Sequence, residues 1–588
     1  MGSTADTGAA AGPAATDPAG PTFDPADPLA VAADPAAVLG GPVPAGRRPS
    51  REWRGTAPPA LVAACAAIGL LFAAPIAYLV VESVSGDEGL GALYTSSRTT
   101  VPLRNTVLLA VATAASATVA GTGLAWLTTR TDVPLRRLWA TLAPLPLVFP
   151  SFVGALALVA AVAPGGLLDT PLGWIGVDAV RPEGFWGAWL VLTLFTTPYV
   201  LLPVAARLAA LPPSLEESAR LLGRRPMATF VTVVLPQARG AIAAGALLVF
   251  LYTASDFGVV ILLRYDTLTR AIYANRVLDR GQSVGLALLL AGVALLVVAA
   301  ERGLGRRRRE AAGVAVGATA AAARRSLQVP LGRWRWPALA VLVAWVAIAL
   351  GGPLASLGLW AWRGLTGEGS RLAGSGGSAL GDLAAPAGNT VGIGLVTALV
   401  AVALLLPLAY LSARHRARSG DLAHGLVAAG FALPGLVVAL AVVSWAIELP
   451  EGLGLYQSFP LLVMAYVLHL GAQSLRAAEV SVGAVPGRLD ESARILGAGR
   501  VRRFVTIDLP LMTPGLLAGG GLVLLSTMKE LPITLLVSPL GFETLATHVW
   551  EDAEAAFLAE AGVAALVLVA LSGVLTWLLV VRRADRLA

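Results

Sequence analysis

Apolar residues run through this chain in blocks of about 20, the length at which a helix rising about 1.5 Å per residue crosses the hydrocarbon core of a bilayer. Six blocks fall at 59–81, 105–128, 138–162, 186–206, 240–263 and 283–300. Six more fall at 337–361, 389–412, 422–446, 459–475, 513–537 and 557–581. They are continuous and lack the alternation over about 10 residues that marks a strand of a membrane barrel. The pattern predicts an all-α polytopic membrane protein with twelve spanning helices. Residues 1–46 are different. Ala, Pro, Gly and Asp dominate, and too little apolar surface is present to offset the entropy of ordering. No basic start leads into an apolar run, so this is not a signal peptide. A disordered cytoplasmic tail over 1–56 is expected, ending in Arg47, Arg48, Arg51 and Arg54.

The polar segments orient the spans. With the N-terminus inside, the cytoplasmic segments hold 33 arginines and the outer loops hold nine. That is the bias that fixes topology in membranes, and it predicts both termini inside. The segment 302–335 collects arginine on the inner side, including Arg306–Arg309, an expected anchor near anionic lipid. The Gly/Ser-rich stretch 364–388 lies outside, and Trp334, Trp336, Trp360 and Trp362 fall where interfacial belts form.

Composition narrows the function. Charged residues make up 13% and mean hydropathy is +0.75, about half the charge of a soluble protein. A soluble enzyme is excluded. The net charge of +7 comes from arginines flanking spans, so no nucleic-acid partner is expected and lipid is. The single lysine, Lys529, is followed by Glu530, so no Gly-Lys-Ser/Thr phosphate loop exists in this sequence. Cys65 has no internal partner and suits a small core position. His415, His424, His469 and His548 lack the spacing of metal ligands, and no metal site is expected.

The chain also repeats itself. Glu216-Glu217-Ser218-Ala219-Arg220-Leu221-Leu222-Gly223 returns 274 residues later as Asp490-Glu491-Ser492-Ala493-Arg494-Ile495-Leu496-Gly497. The same shift places Pro212 on Pro486, Leu235-Pro236 on Leu509-Pro510, and Asp256 on Glu530. Nearer the start of each half the shift is 284, placing Asn105-Thr106-Val107 on Asn389-Thr390-Val391 and Pro150 on Pro434. The extra ten residues lie in the first half's outer loop around 163–185. Two six-helix units in parallel orientation are therefore expected, at 57–300 and 337–588, joined by a basic cytoplasmic linker at 301–336. Parallel halves suit a pathway on a pseudo-two-fold axis along the membrane normal.

The repeated loop predicts a lever. Pro213 and Ser214 suit a helix start with acids in its first turn, Gly223 permits a left-handed stop, and a second short helix leads to the Pro236 that opens the next span. The second half repeats this from Pro486 to Pro510. Here the sequence resembles the EAA loop of ABC importer permeases, near 212–236 and 486–510. Glu217, Ser218, Ala219, Gly223, Val233, Leu235 and Pro236 occupy the motif positions. So do Glu491, Ser492, Ala493, Gly497, Ile507, Leu509 and Pro510, with Ser in place of the middle Ala both times. The resemblance implies two tandem type I permease units. It also implies that each loop docks on a separate ATPase subunit, which uses the ATP and Mg, so that this chain binds no cofactor and is not an enzyme.

Within the apolar blocks sit Asp256, Lys529 and Glu530, and a charge in a span is functional by default. Their contexts, Asp256-Phe257-Gly258 and Met528-Lys529-Glu530-Leu531-Pro532, resemble the fused permeases of ferric-iron ABC importers over residues 59–582. That resemblance implies an external binding protein, two ATPase subunits, and Asp256, Lys529 and Glu530 along a translocation path. A second reading has Lys529 pairing with Glu530 or Asp256 to lock a helix interface. Pro150, Pro434 and the Gly-rich stretch 515–521 suit kinks and close packing. The expectation is a permease in the cytoplasmic membrane of a prokaryote, importing ferric iron. The alternatives are the same machine for thiamine, polyamine, phosphonate or another small solute, and, in another class, an ion-coupled secondary transporter.

Overall fold

The structure is a computed structural model that describes residues 58–85, 96–174, 176, 182–211, 213–311, 328–366, 379–415, 418–450 and 454–578. The tail expected at 1–56 lies outside the described residues, as does 312–327 of the expected linker. Among the described residues there is no strand, only an isolated bridge between Thr131 and Val329. Ten helices are long and apolar enough to cross a membrane, and two bent pairs raise the number to twelve if each counts as one span.

Those bent pairs correct two of the straight spans expected from hydropathy. Over 138–162, the segment Arg136–Val148 meets Ser151–Val162 at 93°. Over 422–446, Gly420–Ala432 meets Gly435–Glu448 at 107°. Pro150 and Pro434 stand at the corners, with ψ of 142° and 140°. Proline has no N–H to give, its ring collides with the carbonyl one turn back, and the residue before it is pushed out of the helical region. What looked like kinks are full corners.

The expected spans 240–263 and 513–537 are also interrupted. Their helices, Leu235–Ser255 and Leu509–Met528, stop at the charged residues. Short helices Gly258–Leu262 and Pro532–Val537 follow, then Leu268–Asn275 and Leu545–Glu554, before the last spanning helices Arg280–Ala311 and Leu558–Thr576. Irregular backbone at membrane depth is tolerated where protein covers it, and Asp256 is indeed buried. The helix Arg280–Ala311 also runs beyond the span expected to end at 300.

A third difference concerns the lever. After Pro226–Thr229 and Arg500–Arg503 the chain does not restart a helix at the proline. It passes through one π-helical turn, Phe230–Val234 and Phe504–Asp508, straight into the spanning helix. The wider turn makes room for the rings of Pro236 and Pro510 and their missing donors. The loop's second helix and the span thereby form one unbroken helical path.

Each half has a three-helix core. In the first, Ser97–Arg130 packs on Pro198–Ala209 and Leu235–Ser255; in the second, Ala384–Arg414 packs on Phe459–Ala484 and Leu509–Met528. Lipid supplies no hydrophobic drive between helices, so association depends on close packing of small residues. Gly245 and Gly519, equivalent under the repeat, show this: an added Cβ would stand 2.7 Å from Val200 Cα and 2.7 Å from Ala477 Cβ. The first helix of each half crosses to the other. Pro59–Ser85 packs on Arg418–Ala432 and Gly435–Glu448, and Gly352–Thr366 packs on Ser151–Val162. Beyond the undescribed linker residues, the Val329 N–H donates to the Arg130 carbonyl (2.8 Å) and the Leu331 N–H to Asp132 Oδ1 (2.8 Å).

Candidate functional site

Two places carry the sequence-derived site residues: the repeated loops, and the helix breaks at the centre of the bundle. Each loop opens with a nine-residue helix, Pro213–Leu221 and Gly487–Ile495. Both end at a left-handed glycine, Gly223 (φ 81°) and Gly497 (φ 78°). The N–H of Arg224 reaches the Ala219 carbonyl (3.1 Å) and that of Gly223 reaches Arg220 (2.9 Å). Ala498 to Ala493 (2.9 Å) and Gly497 to Arg494 (2.9 Å) repeat the pair. This double closure is the Schellman stop, which needs the left-handed residue that glycine supplies. Ala219 and Ala493 are buried on the inner face of their helices. Glu217, Ser218, Glu491 and Ser492 face solvent.

The exposed ends of these helices are apolar. Leu221 and Leu222 are 89% and 83% exposed, and Ile495 and Leu496 are 87% and 86% exposed. Four large apolar side chains presented in pairs, at equivalent positions, mark a surface made to be covered. The sequence reading did not single them out, although the repeat contains them.

Behind each loop is a buried ion pair that the sequence reading also missed. Arg130 Nη1 meets Glu216 Oε1 at 2.5 Å, while Nη2 donates to the Leu208 carbonyl. In the second half Arg414 Nη2 meets Asp508 Oδ1 at 3.1 Å and Nη1 donates to the Tyr410 hydroxyl (2.7 Å). Arg130 and Arg414 are equivalent under the 284 shift, but their acids are not. Glu216 lies in the loop helix, whereas Asp508 lies in the π-helical turn. Each arginine ends the long second helix of its half, so each lever is tied to its own bundle by a buried charge pair.

At the centre, Asp256 follows the end of Leu235–Ser255. Its Oδ2 accepts from Ser151 Oγ (2.6 Å), and its Oδ1 accepts from the Val259 N–H (2.9 Å). Its carbonyl accepts from Thr269 Oγ1 (2.8 Å). Ser151 stands directly after the Pro150 corner, so the corner and the helix break hold each other. Lys529 Nζ donates to the Leu147 carbonyl (3.1 Å), on the other side of that corner. Among the described residues Lys529 makes no ion pair with Asp256 or Glu530; it links the second half's break to the first half's corner. Glu530 lies against the other corner, beside Gly435. Tyr252 is within electrostatic reach of both carboxylates, and Phe257 and Trp550 stack across the halves at 5.4 Å. The two breaks therefore share one central region. No group of three or more His, Cys, Asp or Glu arranged to hold a metal ion occurs among the described residues.

Comparison with known proteins agrees with this duplicated geometry. The family described as binding-protein-dependent transport system inner membrane component matches residues 117–309 and again 405–587. The Fe(3+)-transport system permease protein FbpB 2 of Haemophilus influenzae is 28% identical over 521 residues, covering 87% of this chain and 96% of that protein. The molybdenum transport system permease ModB of Mycobacterium tuberculosis is 32% identical over 210 residues, 34% of this chain and 79% of that one. The putative 2-aminoethylphosphonate permease PhnU of Salmonella typhimurium is 25% identical over 241 residues, 39% and 84%. With two copies of the matching domain covering most of its length, the chain belongs to the family of binding-protein-dependent transport system inner membrane components, the membrane-spanning permeases of ABC importers.

Proposed function

We propose that this permease imports ferric iron delivered by an external binding protein. Two ATPase subunits, one on each loop, drive the two halves between outward-open and inward-open states. Glu217, Ser218 and Gly223, with Glu491, Ser492 and Gly497, present the contact. Leu235-Pro236 and Leu509-Pro510 carry it into the spans. ATP and Mg belong to the partner subunits, and this chain holds no cofactor. Both termini lie in the cytoplasm, on the side of the loops.

The observation that carries the cargo reading is a carboxylate at each of the two helix breaks, Asp256 and Glu530. Hard cations favour carboxylate oxygen, whereas an oxyanion would meet like charge in a region of low dielectric. The near full-length similarity to a ferric-iron permease supports the same reading. The test is uptake, in cells lacking the gene and complemented with it, of radiolabelled ferric iron, molybdate, sulfate and 2-aminoethylphosphonate. Uptake of iron alone is expected. Restoration of an oxyanion without iron would refute the cargo.

A further inference from the structure

The two helix breaks occupy equivalent positions of the repeat, yet their surroundings differ in chemistry. In the first half the carboxylate is fully engaged, by Ser151 and by the Val259 N–H. Val260 follows in the short helix after the break, and Leu192 and Phe195 lie on the helix that packs against it, all three buried. Phe195 fills the space over Gly154 and packs against Phe149 at 5.7 Å. This break is capped and lined by apolar side chains.

In the second half each of these residues is exchanged. The 284 shift puts Gly435 where Ser151 stands. The 274 shift puts Tyr466 on Leu192, His469 on Phe195 and Thr534 on Val260. Tyr466 and Thr534 hydrogen-bond through their hydroxyls at 2.6 Å, which leaves Glu530 and His469. The Glu530 carboxylate accepts from the Ile533 backbone, as Asp256 does from Val259, and the His469 ring bonds the Leu433 backbone, but Glu530 Oε1 is buried and has no hydrogen-bond partner. A Cβ at Gly435 would stand 2.6 Å from Glu530 Oε1 and 3.4 Å from His469 Nε2, so these two atoms lie no more than about 6 Å apart. The carboxylate reaches into the place a side chain would take. The ring also borders that place, at the corner of the bent pair.

A buried carboxylate oxygen left unpaired is costly, and such an atom in a native structure calls for a ligand or a function; here it stands within reach of an imidazole edge. Ser151 donates to Asp256, whereas the glycine at 435 has no donor to offer and leaves room for the Glu530 carboxylate. We propose that Glu530 and His469 form a one-sided subsite for the cargo. The capped Asp256 holds its own helix break instead. The ligand is a hard metal cation carrying water or other small oxygen ligands. Its charge and the protons of those ligands satisfy the carboxylate, and the imidazole supplies the second contact. A single carboxylate and one imidazole form a passing contact rather than a cage, which suits a pathway that must release what it holds. This inference rests on the cationic cargo proposed above.

The test restores the first-half chemistry. Gly435→Ser puts a side chain where Glu530 Oε1 now reaches, displacing the carboxylate and offering it a hydroxyl, and His469→Phe installs the first-half ring. Each is expected to lower radiolabelled ferric uptake by about tenfold, the effect of losing roughly one hydrogen bond to a charged group. ATP hydrolysis stimulated by the binding protein serves as the readout of folding and coupling and should persist in both variants. His469→Gln, which keeps a polar contact, should retain most uptake. Where His469→Phe fails to assemble, Gly435→Ser and His469→Gln decide. If wild type carries iron and Gly435→Ser and His469→Phe, both competent in ATP hydrolysis, match it, the subsite is overturned while the function stands. If wild type carries an oxyanion and not iron, the cargo reading falls and the cation subsite falls with it.

Discussion

Removing Arg130 tests whether the first lever is held by its buried ion pair. Both partners are almost fully shielded, with side chains 2% and 5% exposed. In Arg130→Gln the Glu216 carboxylate stays behind, buried and without its charge partner, which costs about 3–5 kcal/mol. The Leu208 carbonyl also loses a donor. It still accepts from the Leu211 N–H at 3.3 Å, so that loss is nearer 1 kcal/mol. Removing both charges together behaves differently. A well-packed apolar pair in place of a buried ion pair is often close to neutral, so Arg130→Met/Glu216→Leu should recover most of the loss. The assay is unfolding in mixed micelles of rising SDS fraction, run as a double-mutant cycle. A coupling energy of at least about 2 kcal/mol is expected from these penalties. Additive single and double variants, or a loss below about 1 kcal/mol for Arg130→Gln, would refute the reasoning.

Further predictions concern the loops and the centre. Gly223→Ala and Gly497→Ala meet no atom within 4 Å of the new Cβ, so only the left-handed backbone opposes them. Each should cost about 1–2 kcal/mol in the same unfolding assay, with Asn tolerated better than Ala. Replacing Leu221, Leu222, Ile495 and Leu496 by Asp should leave stability unchanged and abolish copurification of the ATPase subunits. Retained copurification would show that these side chains are not the contact. Asp256→Asn with Ser151→Ala should loosen the first-half corner and cut uptake while ATPase-subunit binding persists. Unchanged uptake would remove Asp256 from the transport machinery.

The loops were legible in the sequence because their geometry depends on residues with special backbone demands. A left-handed stop requires Gly223, and a proline after a fixed interval marks the entry to the span. Spacing alone therefore carries the shape, and it recurs 274 residues later. The corners at Pro150 and Pro434 were only half legible. Hydropathy is the same on both sides of each corner, so a window of about 20 residues counts one straight span where the backbone makes a right angle. The breaks at Asp256 and Glu530 were hidden for the same reason, although the charges that mark them were read correctly as out of place in lipid. The ion pairs were hidden by distance along the chain, since Arg130 and Glu216 lie 86 residues apart. A signal did exist in the 284 shift that sets Arg130 on Arg414. The divergence at Ser151 and Gly435, and at Phe195 and His469, is written in the sequence. It becomes meaningful only when the structure shows that these positions surround the two carboxylates.

The central claim is that two repeated loops couple this permease to separate ATPase subunits during ferric uptake. The most direct measurement is radiolabelled ferric uptake in cells lacking the gene, complemented by wild type or by Glu217→Arg/Glu491→Arg, with membrane insertion checked for both. Wild type should restore uptake and the inserted double variant should not. Equal restoration by both would contradict coupling through the loops. Failure of a correctly inserted wild type to restore ferric uptake would contradict the cargo.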